Sequence, residues 1–208
     1  TGTRFIESGK YKKVLIFGVD TMSAIVDYED RNTCILFGDG AGVVLLEASD
    51  DGTGIIDSEL RIDGSGGEFL NMKAGGSLNP ATHETVENRE HYAYQDGRQV
   101  YKYAVKGMAD ISYDVATRNQ LTPETIDLFV PHQANKRIID SAAKRLGISE
   151  DKVLINIDKY ANTTAATLPI GLVEAVEKNM VNKGDNVILS AFGAGFTWGA
   201  IYLKWSLN

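Results

Sequence analysis

The sequence predicts an α/β fold built around a mainly parallel sheet. Short apolar runs of strand length alternate with amphipathic helical patterns through the second half of the chain. Residues 34–48 are apolar at both odd and even positions, which is typical of strands with helices on both faces. Two late apolar runs joined by a glycine turn repeat the form of residues 34–48, which suggests two similar halves.

The first part of the chain contains few predicted helices and strands. Residues 1–13 resemble the last turns of a helix that ends at Gly9, so we expect a longer protein to precede Thr1. Residues 14–19 predict a buried strand, and residues 34–48 predict two strands joined by a glycine turn at 38–42. The acidic, glycine-containing residues 49–54 suggest a domain boundary, and residues 63–96 have a loop-like composition.

The second part alternates helices and strands. A helix is predicted from Gln99 to about Asn119, with an apolar face formed by Val100, Tyr103, Ala104, Met108 and Ile111. The remaining predictions are a helix start at 122–124, a strand at 127–130, a helix at 136–146 ended by Gly147, a strand at 153–157, a helix with Pro169 in its first turns, and two strands at 186–192 and 200–205.

Composition limits the classes of function. The chain has 208 residues, 43% of them hydrophobic, and a net charge of -7, which argues against a nucleic-acid partner. No apolar run reaches the length of a membrane span and no signal peptide is visible. Cys34 is the single cysteine, so no intrachain disulfide can form, and a cytoplasmic location is expected. We expect Cys34 to be a buried core residue.

Four motifs stand in a fixed order: FGDGAG at 37–42, VPHQAN at 130–135, YANTTAATLP at 160–169 and FGAGFTWG at 192–199. Together they resemble β-ketoacyl-acyl-carrier-protein synthase III over essentially the whole chain. The resemblance implies a thiolase-like layered αβαβα fold. Residues 1–50 would be the C-terminal remnant of its first half and residues 51–208 its complete second half.

The resemblance also implies a reaction and the residues for it. An acyl-CoA primer would condense with malonyl-acyl-carrier protein, losing CO2 and initiating type II fatty-acid synthesis without a cofactor. The family's nucleophilic cysteine would lie upstream of Thr1. His132 and Asn162 would donate to the thioester oxygen during decarboxylation, and the backbone N–H of Ala194 would form part of a second oxyanion hole.

Further residues are assigned to substrates and partners by the same resemblance. Phe192 would lie beside the nucleophile, Arg31 against the adenine of CoA, and Gly97, Arg98 and Asn135 along the pantetheine tunnel. The intact protein would be a homodimer. An acidic carrier protein would dock on the basic helix after His132, through Gln133, Ala134, Asn135, Lys136, Arg137, Lys144 and Arg145.

Other interpretations remain open. The basic helix is also typical of a solvated face, and a lone histidine such as His132 is often only a satisfied polar residue. His83–Glu87 has glutamate where a zinc helix needs its second histidine, and its pattern is not helical, so no metal site is expected. A polyketide starter synthase, a hydroxymethylglutaryl-CoA synthase type of enzyme and an inactive or binding-only fragment are the alternatives.

Overall fold

The computed structural model describes residues 1–207 and shows a mixed α/β fold. The helices are α1 (Gly2–Glu7), α2 (His83–Glu87), α3 (Gly97–Arg118), α4 (Lys136–Leu146), α5 (Ile157–Tyr160) and α6 (Thr167–Glu177). The strands are β1 (Lys13–Asp20), β2 (Gly40–Glu47), β3 (Gly54–Ile62), β4 (Leu70–Met72), β5 (Ala93–Gln95), β6 (Leu128–Pro131), β7 (Asn186–Gly193) and β8 (Thr197–Lys204).

The largest sheet has four strands in the order β3-β8-β7-β6. Only β6 and β7 pair in parallel, whereas β7 with β8 and β3 with β8 are antiparallel. The prediction of a mainly parallel sheet is therefore wrong for the described residues. The reason is the short turn between Gly193 and Thr197, which has no room for the crossover that parallel neighbours require.

Helices cover both faces of this sheet. On one face α3 and α4 pack against Ile188, Phe192 and Tyr202, and on the other α6 packs against Val187 and Leu189. The predicted apolar face of α3 is confirmed, since four of its five members are buried and the fifth is partly buried. The predicted end of α4 is also confirmed, because Gly147 adopts a left-handed conformation there.

A second sheet pairs β1 with β2 antiparallel, and the start of α6 lies between the two sheets. Gly18 and Gly42 face each other in this pair. A Cβ on Gly18 would lie 2.2 Å from the carbonyl oxygen of Ala165, and one on Gly42 would lie 2.6 Å from Pro169. Gly38 of the FGDGAG motif is equally close, since a Cβ there would lie 2.3 Å from the carbonyl oxygen of Tyr160. These glycines permit close packing between the layers, which follow in the order helix, sheet, helix, sheet.

The outer face of the β1–β2 sheet is apolar and open. Leu15, Phe17, Val19, Val43 and Leu45 are each between 47% and 64% exposed. The prediction that helices cover both faces of these strands is wrong within residues 1–207, because α1 packs against Ile16 and Leu46 on the opposite face and leaves this face open.

Residues 34–36 form turns and Phe37 makes one isolated bridge to Asn162, so they are not the first strand of a glycine-linked pair. The glycines at 40 and 42 lie inside β2. The carboxylate of Asp30 accepts hydrogen bonds from the N–H of Asn32 and the hydroxyl of Thr33, which bends the chain just before this segment. Cys34 is consequently half-buried in a turn, and its placement in the core is wrong.

Three further local predictions fail. Residues 123–125 form a turn because the N–H of Asp127 already donates to the carbonyl of Asn186, which leads the chain into β6. Residues 153–157 make one isolated bridge and no strand. His83–Glu87 is helical after all, because Thr82 and Thr85 cap it reciprocally.

Two sequence predictions concern boundaries and loops. Residues 63–96 contain two short strands and a helix, so they are more ordered than their composition suggests. The proposed division at residues 49–54 falls between β2 and β3, which belong to different sheets, and it stays a prediction.

Candidate active site

His132 follows directly on β6. Its backbone N–H donates to the carbonyl of Ser190 on β7 at 2.7 Å, which extends the parallel ladder by one residue. The side chain is buried, with 8% of its surface exposed. Burial lowers the pKa of His132 from 6.5 to about 4, so the imidazole is neutral at neutral pH.

Asn162 lies between α5 and a short 3-10 turn at Thr164–Ala166. Its backbone joins it to the segment that leads into β2: its N–H donates to the carbonyl of Leu36 at 3.0 Å, and its carbonyl accepts from the N–H of Gly38 at 2.9 Å. Asp20 accepts from the hydroxyl of Thr164 and from the N–H of Ala165, so the end of β1 holds this loop in place. The loop is therefore fixed by contacts to residues more than a hundred positions away.

Phe192 and Ala194 lie at the turn between β7 and β8. The ring of Phe192 packs between Phe196, at a centroid distance of 5.0 Å, and Trp198, at 5.9 Å. The carbonyl of Ala194 accepts from the hydroxyl of Thr197 at 3.0 Å, which closes the turn. This aromatic cluster fixes the position of the Ala194 backbone relative to the sheet.

These residues open on one cavity of about 930 Å³ with mainly apolar walls. The cavity brings together seven of the residues predicted to act in catalysis, substrate binding or docking: Gly97, His132, Ala134, Asn135, Asn162, Phe192 and Ala194. Neutral N–H donors in a poorly solvated cavity stabilise an oxygen that gains negative charge. The arrangement suits a reaction with an oxyanionic or enolate-like transition state.

Two of the residues predicted to contact a substrate or partner, Arg31 and Gln133, do not lie where that prediction requires. Arg31 is exposed in a turn and is not among the residues that line the cavity. Gln133 is 1% exposed, so its side chain is not accessible to a carrier protein and that prediction is wrong for this residue. The reason is that its amide forms hydrogen bonds inside the protein.

The other predicted docking residues lie on or just before α4. Asn135 caps the helix, because its side-chain oxygen accepts from the N–H of Arg137 at 2.9 Å. Lys136 pairs with Asp140 at 2.8 Å, which offsets its charge. Arg137 stacks over Tyr101, and Arg145 over Tyr113 at 3.9 Å. Arg145 also pairs with the carboxylate of Asp110 at 3.5 Å, which offsets its charge. The exposed positive charge of α4 therefore comes mainly from Arg137 and Lys144.

Sequence reasoning missed two kinds of residue at the cavity. Leu60, Arg61 and Ile62 of β3 form one wall, although nothing in their pattern marks them as functional. Ser190 lines the cavity, is 1% exposed, and its hydroxyl makes no hydrogen bond within residues 1–207. Its place beside His132 in the ladder depends on sheet register, which the sequence does not show.

Residues 1–207 contain no group of three or more His, Cys, Asp or Glu side chains placed to hold a metal ion. No helix in the same range is both long and apolar enough to cross a membrane.

Comparison with known proteins gives consistent matches. Residues 1–64 match the family model of 3-oxoacyl-[acyl-carrier-protein] synthase III, and residues 116–205 match the model of its C-terminal region. The β-ketoacyl-[acyl-carrier-protein] synthase III of Chlorobaculum tepidum is 56% identical over 207 residues, which cover 99% of this chain and 63% of that protein.

Solved structures agree. The synthase III structure from Thermus thermophilus matches with a TM-score of 0.89 and 38% identity, over 100% of this chain and 63% of that one. The structure from Aquifex aeolicus matches with a TM-score of 0.85 and 40% identity, over 97% and 61%. The chain thus spans about 63% of the length of the curated relatives it matches. It belongs to the 3-oxoacyl-[acyl-carrier-protein] synthase III family and has that family's thiolase-type fold.

Proposed function

We propose that this chain forms the larger, C-terminal part of an enzyme that condenses an acyl-CoA primer with malonyl-acyl-carrier protein. The product is a β-ketoacyl-carrier protein, and the step initiates type II fatty-acid synthesis. The observation that carries the proposal is that His132 and Asn162 open on the same apolar cavity. The relatives support it, because they are named β-ketoacyl-[acyl-carrier-protein] synthase III.

The first step needs a cysteine that this chain does not supply. A thiolate in the remaining third of the protein attacks the acyl-CoA carbonyl, and the thiolate of CoA leaves. Cys34 does not replace it, because it is not among the residues that line the cavity. The chain by itself is therefore expected to bind substrates without forming an acyl-enzyme.

The second step uses the donors of this chain. The C–C bond to the carboxylate of the malonyl thioester breaks, CO2 leaves, and the electron pair moves to the thioester oxygen as an enolate. The neutral imidazole of His132 and the amide of Asn162 donate to that oxygen. A neutral histidine suits the step, because a cation would also hold the departing carboxylate; burial keeps the pKa of His132 at about 4.

The third step joins the two carbon chains. The enolate carbon attacks the acyl-cysteine carbonyl, and the tetrahedral oxyanion accepts from the backbone N–H of Ala194 in this proposal. Collapse of the intermediate expels the cysteine thiolate and leaves the β-ketoacyl-carrier protein. No metal or cofactor takes part.

Exposed apolar surfaces support the proposal that this chain packs against a further part of the protein. Phe17 on β1 is 64% exposed, and Leu60 and Ile62 on β3 are 78% and 75% exposed beside the cavity. Monomeric proteins rarely leave such contiguous apolar surface in water. The additional length of the relatives would cover these faces and complete the cavity wall.

The charge on the surface of α4 supports an acidic carrier protein as the partner. Arg137 and Lys144 give α4 a basic surface on a chain of net charge -7, which complements an acidic carrier protein. Residues 134–137 connect this surface to the cavity, because Ala134 and Asn135 line it. We also propose that the intact enzyme is a homodimer and is located in the cytoplasm.

The test joins this chain to the N-terminal third of the Chlorobaculum tepidum relative, upstream of the matched region. CO2 release from malonyl-carrier protein and formation of the β-ketoacyl product are measured with an acyl-CoA primer. The intact relative is the positive control, and a cysteine-to-alanine change in the added third is the negative control. Product formation supports the proposal, whereas cysteine acylation without CO2 release or product would favour a binding-only role and overturn it.

A further inference from the structure

The side chain of Gln133, the residue after His132, is fully hydrogen-bonded inside the protein. Its Nε2 donates to the carbonyls of Pro131 at 2.9 Å and Leu154 at 3.1 Å. Its Oε1 accepts from the N–H groups of Asn156 at 3.0 Å and Ile157 at 3.1 Å. Two donors and two acceptor sites are the whole capacity of a carboxamide.

The backbone of Gln133 makes one more link. Its N–H donates to the hydroxyl of Thr167 at 3.0 Å, in the first turn of α6. Thr167 is 4% exposed, so water does not compete for this hydrogen bond. The residue next to His132 is therefore bonded both to the chain that leads into α5 and to the start of α6.

These two anchor points lie on either side of Asn162. The segment that bonds Gln133 enters α5, which ends at Tyr160, and α6 begins at Thr167. The loop that carries Asn162 is thus attached at both ends to the residue beside His132. A shift of one donor relative to the other would break several buried hydrogen bonds.

A second set of contacts stiffens the α5 side. The Nδ2 of Asn156 donates to the Glu174 carboxylate on α6 at 2.5 Å. Lys159 pairs with the same carboxylate at 3.1 Å, and Lys178 pairs with it at 3.4 Å. Glu174 is buried, so its bonds to Asn156 and Lys159 tie α5 to α6, whereas Lys178 directly follows α6 and only adds to the ion pair.

We propose that Gln133 is a positioning residue that sets the distance between the His132 imidazole and the Asn162 amide, and that Thr167 is its partner in this role. The inference rests on the proposed function, because it concerns the two donors of the decarboxylation step. Misplacing a catalytic group by about 1 Å can lower the rate on the order of 100-fold. Two donors that act on the same oxygen therefore need hydrogen bonds that hold their loops at a fixed separation.

The test compares Thr167→Val with Thr167→Ser in the full-length protein. Valine has the same shape without the hydroxyl, and serine restores the hydroxyl. Thr167→Val should lower kcat for malonyl decarboxylation by about tenfold, while the KM for malonyl-carrier protein and the rate of cysteine acylation change little. Thr167→Ser should recover most of the loss.

Gln133→Met is the stronger variant, because it keeps the length of the side chain and removes all four of its hydrogen bonds. It should lower the same kcat by about 100-fold. If it fails to fold, the Thr167 pair decides the question.

The outcomes separate the two proposals. A kcat that stays unchanged in the variants, or an equal fall in acylation and decarboxylation, overturns the positioning role alone. No CO2 release from the unsubstituted, acylated protein overturns the proposed function and this inference with it.

Discussion

The side-chain oxygen of Asn162 accepts a hydrogen bond from the backbone N–H of Thr164 at 2.9 Å. This bond engages the oxygen end of the amide, so Nδ2 is the end that is left to donate, and Asn162 lines the same cavity as His132. An amide fixed in this way presents N–H groups to a substrate without having to reorient during the reaction.

Changing Asn162 to Asp in the full-length protein tests the direction of this amide. Aspartate still accepts from Thr164 but offers no N–H and adds a negative charge beside the developing enolate. We expect kcat for malonyl decarboxylation to fall by about 100-fold or more, since one such donor is worth roughly 3 kcal/mol. Decarboxylation within threefold of the unsubstituted rate, in a protein with an unchanged circular dichroism spectrum, would contradict the role.

His132→Ala should separate the two half-reactions. CO2 release from malonyl-carrier protein should be lost, because one of the two donors is missing, while labelling of the cysteine by acyl-CoA should remain near normal. Both rates are measured on the same preparation of the full-length protein. Parallel loss of acylation would show that His132 serves the whole site and not the enolate.

The buried state of His132 also predicts how stability depends on pH. Its pKa is about 4 in the folded protein against 6.5 ordinarily, so the unfolded chain binds more protons between these values. Stability should therefore fall as the pH drops below about 6.5, approaching about 1.4 kcal/mol per pH unit from this residue. Urea unfolding from pH 7 to 4.5 should show a weaker dependence for His132→Asn; identical slopes would argue that the imidazole is solvated.

Charge reversal on α4 tests docking. Arg137 is exposed and stacks over Tyr101, so its guanidinium is held at the surface. Arg137→Glu should raise the KM for malonyl-carrier protein by about tenfold or more and leave the KM for the acyl-CoA primer nearly unchanged. Lys12→Glu, at an exposed position before β1, changes the net charge equally and should have little effect. Equal KM values for the two variants would rule out docking through Arg137.

Substitution of Ser190 tests the energetic cost of burying a hydroxyl without a hydrogen-bond partner. Its hydroxyl is buried beside the cavity without a hydrogen-bond partner in residues 1–207, a state that costs about 1–3 kcal/mol. Ser190→Ala should leave the free energy of unfolding unchanged or raise it by about 1 kcal/mol. Ser112→Ala is the matched control, because that hydroxyl is equally buried but donates to Met108 at 2.7 Å. A loss of stability at Ser190 as large as at Ser112 would reveal a partner for its hydroxyl.

Some of this architecture was readable from local patterns. The apolar face of α3 and the left-handed Gly147 after α4 follow from helix periodicity and capping, which involve neighbours within a few residues. The four motifs likewise indicated the family and singled out His132 and Asn162, which the structure places at one cavity. Their catalytic roles stay predictions.

Other features depended on contacts that the sequence leaves open. Residues 153–157 have the apolar pattern of a strand, yet the amide of Gln133 takes two of their N–H groups and directs them into α5. Cys34 has an equally apolar neighbourhood, yet the turn set by Asp30 keeps it out of the core. The resemblance assigns Gln133 to carrier-protein docking, whereas its burial is decided by contacts with distant segments.

The sequence alone thus determined the elements whose stability is local, the family, and the chemical identity of the candidate donors. The tertiary structure alone decided which strands pair, which apolar faces stay open, and that Gln133 joins the loops of His132 and Asn162. The physical reason is that a buried backbone or amide group must find a hydrogen-bond partner, and that partner is selected by packing between segments distant in the chain.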